Sequence, residues 1–176
     1  MGGSLATTVR RPMLRFRRTT LEAIHEHARQ AYPEECCGFV LVDEGNERVR
    51  RVTNIQDHVH HSNPTRFRRD AKKAYFMDPK ELLEVYGEVD SGASEIKAVY
   101  HSHPDRDAHF SPEDRKLALF DAEPVDPEWV HLVVSIYGRE VRATRAFEWD
   151  DEECDFVEVR MAAPQLGSVE DSGARR

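Results

Sequence analysis

The chain has 176 residues, of which 39% are hydrophobic and 33% charged, and its formal net charge is −8 at pH 7. This length suits one domain with a substantial core, and no apolar run reaches the roughly 18 residues that a membrane-spanning helix needs. The negative charge argues against nucleic acid as the main partner, because binding to nucleic acid depends on neutralising phosphates. We therefore expect a soluble domain with neither a nucleic acid nor a membrane as partner.

The N-terminal stretch is expected to lie outside the folded domain. Residues 1–20 contain five arginines and no acid, a composition that resembles a transit peptide, but they lack the apolar core of a secretory signal. We expect residues 1–12 to form a disordered leader.

The first part of the domain predicts a helix followed by a β-hairpin. The expected elements are a strand over 13–16, a helix that ends before Pro33, a strand over 36–42 and a return strand over 47–55. Thr19 and Glu22 predict a capping box at the start of the helix. His25 and His27 on this helix are expected to be solvated. Gly38 indicates a close backbone approach within the strand.

Residues 56–74 are predicted to form a long loop, because they carry many basic and few apolar side chains. His58, His60 and His61 within it could form a second metal cluster. No cysteine or acid accompanies them at a firm spacing, and the alternative is a flexible basic loop near the site.

The second part of the chain alternates helices and strands. Asp78 and Pro79 predict the start of a helix that ends at Val89. The side chains expected to face the core are Leu82, Leu83, Val85 and Tyr86 on this helix, and Leu117, Ala118 and Phe120 on the next one. Strands are expected over 96–100, 129–137, 140–147 and 156–161, and a disordered tail over 162–176. This order predicts one α/β domain over 13–161, with a mixed sheet between helices.

The stretch 99–114 carries the candidate metal site. His101 and His103 end a predicted strand at i and i+2, the spacing that places two side chains on one face. Ser111 and Asp114 predict a capping box, so Asp114 lies in the first turn of a helix and can point back at the histidines. Two nitrogens and one carboxylate oxygen, with a fourth position open to water, form the ligand set of a catalytic zinc site. For Ser111 and Asp114 taken alone, a plain capping box is the alternative.

The spacing His-x-His-x7-Ser-x2-Asp, with Pro104 after the second histidine, resembles the signature of the JAMM (MPN+, Mov34-type) metallopeptidases. Upstream, the Pro-x-Glu-x-Cys-Gly pattern within 32–42 resembles the stand-alone prokaryotic members and places the family's catalytic glutamate on Glu35. Without the downstream motif, Glu35 would be interpreted as an ordinary surface acid.

The resemblance covers roughly residues 13–147 and implies a fold, a cofactor and an activity. The implied fold is a curved mixed sheet flanked by helices, of the cytidine-deaminase-like type. One zinc ion per chain would be held by the three ligands His101, His103 and Asp114. Glu35 would be the general base and Ser111 the oxyanion donor, although the hydroxyl of Ser111 could also serve only as the helix cap.

The implied reaction is hydrolysis of a peptide or isopeptide bond after the Gly-Gly end of a ubiquitin-like or sulfur-carrier protein. Three other classes are weighed against it. A non-catalytic interaction module is typical of relatives that lack the metal ligands, which this chain keeps. A RadC-like DNA-repair-associated protein shares the histidine and Ser-x-x-Asp spacing, but Ser-Gly is typical where this chain has Asp105 and Arg106. A zinc nucleoside deaminase would need a downstream Cys-x-x-Cys, which is absent.

The three cysteines, Cys36, Cys37 and Cys154, do not form a disulfide framework. Their number and spacing favour a reducing, cytoplasmic location. Cys37 is expected to be buried packing. Cys36 as a nucleophile would require a paired histidine, which the sequence does not indicate.

Overall fold

The computed structural model describes residues 13–163 and shows a six-stranded β-sheet between helices. The helices are α1 (Arg18–Ala31), α2 (Gln56–Ser62), α3 (Pro79–Asp90) and α4 (Pro112–Ala118). The strands are β1 (Cys37–Asp43), β2 (Asn46–Val52), β3 (Glu95–Pro104), β4 (Leu119–Phe120), β5 (Glu123–Pro124), β6 (Val130–Tyr137), β7 (Glu140–Asp150) and β8 (Asp155–Val159). None of these helices is long and apolar enough to cross a membrane. The predicted leader, and all of the predicted tail except residues 162 and 163, lie outside the described residues.

The sheet has the order β2-β1-β3-β6-β7-β8, and β4 pairs with β5 in a separate two-stranded sheet. β3 and β6 run parallel, whereas the other neighbouring strands of the large sheet are antiparallel. Parallel neighbours require a crossover, and the chain between β3 and β6 contains α4 with the short β4 and β5. The predicted mixed sheet flanked by helices is therefore confirmed.

The two faces of the sheet pack against different helices. Successive side chains of a strand point to opposite faces, and in β3 Tyr100 joins the core cluster of Ile24 on α1. Val99 points the other way and joins the cluster of Val85 on α3. His101 has the same parity as Val99. The candidate metal site therefore lies on the face opposite α1.

The capping box predicted from Thr19 and Glu22 is wrong, because α1 begins one residue before Thr19 and has no local side-chain cap. A carboxylate from β2 takes that position instead. Glu47 Oε2 accepts hydrogen bonds from Arg17 N at 2.8 Å and from Thr20 Oγ1 at 2.7 Å. The acid that satisfies the helix start therefore comes from a distant part of the sequence.

Residues 56–74 are more ordered than the sequence predicts, because they contain α2. Polar side chains tie the segment to its own backbone: Gln56 Nε2 donates to Arg69 O at 2.6 Å, and Asp57 Oδ1 accepts from Ala71 N at 2.7 Å. Apolar contacts add to these bonds, since the ring of Phe67 packs on that of Phe76 at 5.5 Å between centroids and Ala71 is buried. The predicted long loop is therefore wrong for residues 56–62, which form α2, whereas residues 63–74 contain no helix or strand.

The predicted strand over 13–16 and several predicted core positions also differ from the structure. Leu14 forms only an isolated bridge with Met161. Val85 is fully buried as expected, and Leu82 and Ala118 pack against the core. The apolar side chains that are exposed instead are Leu83 (72%), Tyr86 (37%), Leu117 (47%) and Phe120 (76%). Phe120 lies beyond the end of α4, so helical spacing does not apply to it.

Gly38 lies where two neighbouring chain segments leave no room for a side chain. A Cβ there would meet the Arg50 carbonyl oxygen of β2 and would lie 2.7 Å from the Tyr100 hydroxyl oxygen. We expect Gly38→Ala to lower the free energy of unfolding by about 3 kcal/mol, since overpacking against backbone cannot relax easily. Urea denaturation measures it. The control is Gly87→Ala in α3, where a Cβ meets nothing within 4 Å, and a loss as large there would contradict the explanation.

His25 and His27 are partly buried and hydrogen-bonded, so the prediction that they are solvated is wrong. His25 Nε2 lies 2.7 Å from Thr144 Oγ1, and His27 Nδ1 lies 2.8 Å from the Tyr100 hydroxyl. Burial lowers the pKa of His27 to about 4, and the positive charge of Arg51 acts in the same direction.

This pKa predicts that the protein loses stability in mild acid. Between about pH 6.5 and pH 4 the unfolded chain binds a proton on His27 that the folded chain does not, so the free energy of unfolding falls as the pH falls. We expect a loss of about 1–2 kcal/mol, after allowing for the partial exposure of the ring. Denaturation at both ends of this range measures it. His27→Gln, which can still bond the Tyr100 hydroxyl, should lose less, and an equal loss in both proteins would contradict the assignment.

Candidate metal centre

Three polar side chains meet on the face opposite α1. His101 and His103 come from the end of β3, and Asp114 comes from the first turn of α4. His101 Nε2 lies 3.2 Å from His103 Nε2 and 3.2 Å from Asp114 Oδ1, and His103 Nε2 lies 3.3 Å from Asp114 Oδ2. All three residues are buried. The structure thus brings together the three predicted metal ligands.

A capping box fixes the position of Asp114. Ser111 Oγ accepts from Asp114 N at 3.2 Å, and Asp114 Oδ2 accepts from Ser111 N at 2.7 Å. Pro112 at the first helical position favours the same start. The predicted cap is therefore present, and its carboxylate is the one that faces the histidines.

Neighbouring groups fix the orientation of the two imidazoles. His103 Nδ1 lies 3.0 Å from the Asp107 carbonyl oxygen. A carbonyl can only accept a hydrogen bond, so Nδ1 carries the proton and Nε2 presents a lone pair. The ring of Tyr75 stacks on that of His101 at 4.8 Å between centroids. These contacts hold both rings in a ligand geometry, as partners behind a metal site commonly do.

The distances and charges of this group fit a divalent metal ion. In a tetrahedral site with bonds of about 2.0–2.1 Å, neighbouring ligand atoms lie about 3.3–3.4 Å apart, close to the separations observed here. Burial would raise the pKa of Asp114, but the charges and hydrogen bonds of His101 and His103 outweigh it and hold this pKa well below its usual range. Among residues 13–163, this is the one group of side chains that could hold a metal ion.

Glu35 lies beside this group, two residues before the start of β1. Ser102 N donates to Cys36 O at 3.0 Å, which extends the pairing of β1 with β3 and brings Glu35 alongside the end of β3. Its side chain is only 2% exposed. Burial raises the pKa of Glu35 to about 7, against the opposing charges of His101 and Arg106. A buried carboxyl that titrates near neutral pH can accept and return a proton.

Arg106 is a residue of the site that the sequence analysis does not predict. It pairs with Glu35 Oε1, while Glu35 Oε2 is buried without a hydrogen-bond partner. The sequence signal is faint: Arg106 lies in the motif stretch, three residues after His103. Its partner is 71 residues away in the chain, so only the fold reveals the contact.

The alternative sites do not have the geometry that their chemistry needs. His58, His60 and His61 are absent from the metal-ligand group, and α2 directs His60 and His61 to backbone carbonyls within their own segment. Burial raises the pKa of Cys36 to about 12. Such a thiol stays protonated, which argues against a nucleophilic role. Cys37 is fully buried, as expected.

Comparison with known proteins agrees with this geometry. Residues 17–150 match the family described as prokaryotic homologs of the JAB domain. A protein of Haloferax volcanii named desampylase is 28% identical over 145 residues, which are 80% of this chain and 89% of that protein. A Mycobacterium tuberculosis protein named CysO-cysteine peptidase is 30% identical over 123 residues, which are 70% of this chain and 73% of that protein.

A solved structure shares the fold. The solution structure of a Desulfitobacterium hafniense protein superposes with a TM-score of 0.60 and 23% sequence identity, covering 86% of this chain and 93% of that chain. At this identity the likeness concerns the fold alone.

Proposed function

Because this chain belongs to the family of prokaryotic homologs of the JAB domain, we propose that it is a zinc-dependent metallopeptidase. The observation that carries the proposal is the buried group of His101, His103 and Asp114 with Glu35 beside it. Two imidazole nitrogens and a carboxylate suit zinc better than magnesium or calcium, which prefer oxygen ligands. Zinc held by these residues would supply Lewis acidity, which lowers the pKa of water so that hydroxide is available to attack an amide near neutral pH.

Glu35 transfers the proton in this proposal. Its unpartnered Oε2 is the atom that accepts the proton of the attacking water and then delivers it to the leaving amine. Its raised pKa matches this double role. The pairing of Oε1 with Arg106 holds the carboxylate in place.

Ser111 serves as both helix cap and oxyanion donor in this proposal. Its hydroxyl uses a lone pair to accept the bond from Asp114 N. The hydroxyl proton is still available for donation, since one hydroxyl both donates and accepts. The two functions therefore do not compete, and a developing negative charge on the substrate carbonyl oxygen can be stabilised.

The proposed substrate is a ubiquitin-like or sulfur-carrier protein, cleaved after a Gly-Gly C-terminus. Two relatives support this substrate class through their names, desampylase and CysO-cysteine peptidase. A narrow approach to the buried site would favour a bond after two glycines, because any Cβ would clash in such a groove.

The test is cleavage of a ubiquitin-like protein that carries a short reporter peptide after Gly-Gly. With zinc-loaded protein we expect mass spectrometry to find one cut, directly after the second glycine. The matched substrate with Ala-Ala at those positions should be cleaved at least tenfold more slowly, an estimate from the strain of adding two Cβ atoms. An intact substrate beside stoichiometrically bound zinc would contradict the proposal and favour the non-catalytic interaction module.

A further inference from the structure

A basic groove lies beside Glu35, and of its lining residues the proposed proton transfer uses only Arg106. The groove is lined by five basic or imidazole side chains and one acid: His60, Arg68, Arg69, Asp70, Lys73 and Arg106. Its volume is about 600 Å³, and it is open to solvent. In a chain whose formal net charge is −8, a groove of this composition is a local exception.

Part of this positive charge is not neutralised by the protein. Arg69 Nη2 lies 2.8 Å from Glu113 Oε1, and Arg106 pairs with Glu35. Arg68 and Lys73 form no ion pair with any residue in the range 13–163. Asp70 offsets one of these two cations, so the basic groove keeps a net positive charge that an anionic group would neutralise.

Arg106 connects the basic groove to the reacting centre. One of its N–H groups meets Glu35, its Nε is buried without a hydrogen-bond partner, and 28% of its side chain is exposed. Ser135 Oγ donates to the Arg106 carbonyl oxygen at 2.7 Å, which anchors the backbone. The exposed part of this anchored guanidinium is suited to bind a carboxylate, since a planar guanidinium fork matches two carboxylate oxygens.

A peptide bond and an isopeptide bond would place different leaving groups beside Arg106. In a peptide bond to a single terminal amino acid, the leaving amine and a free carboxylate are attached to the same carbon. In an isopeptide bond, the leaving amine is attached to the four methylene groups of a lysine. Glu35 protonates the leaving amine, so a cation in contact with Glu35 lies near the free carboxylate of a released terminal amino acid. When the leaving group is a lysine side chain, this cation has no carboxylate to bind.

We propose that Arg106, with Arg68 and Lys73, binds the α-carboxylate of the amino acid that is released. The chain then prefers substrates in which Gly-Gly is followed by one C-terminal residue. The reaction is unchanged: water's hydroxyl joins the carbonyl carbon, the C–N bond breaks, and the amine takes the proton. This inference rests on the proposed peptidase function.

The test compares two substrates that differ only in one charge. Both are a ubiquitin-like protein ending in Gly-Gly-Ala, one with a free C-terminal carboxylate and the other with a carboxamide. For the wild type we expect kcat/KM to favour the carboxylate by roughly 10- to 100-fold, as for the loss of a charge-assisted hydrogen bond. In Arg106→Gln the ratio should fall close to one, whatever happens to the absolute rate. Arg145→Gln, which removes an exposed cation paired with Glu158 outside the groove, should keep the wild-type ratio.

The other possible results separate a failure of the carboxylate site from a failure of the peptidase function. Equal cleavage of both substrates by the wild type would overturn the carboxylate site and leave the peptidase function intact. If neither substrate is cleaved, the peptidase function fails. Calorimetry with metal-free protein then compares the affinities for the two substrates. Tighter binding of the substrate with the free carboxylate supports the carboxylate site, and equal binding overturns it. Should Arg106→Gln not fold, the double variant of Arg68→Gln and Lys73→Gln must lower the ratio, and an unchanged ratio would overturn the proposal.

Discussion

Replacing Glu35 by Gln is expected to lower kcat about a thousandfold, within the range of 10²–10⁴ found for general acid–base catalysis. The amide keeps the size of the carboxyl group but can neither accept the proton of water nor deliver it to the amine. Zinc content should stay at the wild-type level, because Glu35 is not among the three ligands that meet. Steady-state cleavage and elemental analysis of the same preparation measure both quantities.

The matched control is Glu34→Gln, which removes the neighbouring acid. Glu34 is exposed, whereas Glu35 is buried, so this variant should cleave at the wild-type rate. The pH profile adds a second readout. Burial raises the pKa of Glu35 to about 7, and a bound dication lowers it, so the acidic limb of kcat/KM should lie at or below about pH 7. The limb should disappear in Glu35→Gln, and its persistence there would assign the proton transfer to another group.

Replacing His103 by Ala is expected to lower zinc content from about one ion per chain to nearly none. In the proposed zinc site His103 supplies one of three ligand atoms, and its loss also removes the Nδ1 contact to Asp107 that orients the imidazole. Zinc should stabilise the wild type by about 4 kcal/mol at a free concentration of a thousand times Kd. Thermal unfolding with and without zinc should show this gain in the wild type and not in His103→Ala.

His58→Ala is the control for metal binding. His58 is exposed on α2 and is not part of the group that could hold a metal ion. It should keep both the zinc content and the stabilisation by zinc. If His58→Ala lost zinc as His103→Ala does, the cluster of His58, His60 and His61 would have to be considered again as a metal site. If His103→Ala kept a full zinc ion, the assignment of the ligands would be wrong.

The sequence predicts that His101, His103 and Asp114 meet, and it can do so because the pattern is local. His101 and His103 share a face through the two-residue period of a strand, and Ser111 and Asp114 are joined by a capping box within one helical turn. Each rule acts over a few residues and depends little on the rest of the fold. The family and the mixed sheet flanked by helices are confirmed for the same reason, since both follow from these motifs and from the order of the elements.

Helix starts and exposed apolar positions are predicted less well, because they depend on distant segments. Glu47 of β2 replaces the predicted cap of α1. Leu83 on α3 and Leu117 on α4 are apolar but exposed, and helical periodicity cannot tell which stripe of a short helix finds a partner. In the same way, the polar bonds that order residues 56–74 leave no periodic pattern of apolar residues.

By itself, the sequence determined which side chains meet in the candidate metal centre, their strand and helix placement, and the position of Glu35 before a buried strand. Only the tertiary structure decided what surrounds Glu35. Burial and the contact with Arg106 set its proton affinity, and the nearby segment 68–73 contributes the basic groove. The physical reason is that desolvation and charge pairing depend on separation in space, which the distance along the chain does not give for residues 71 positions apart.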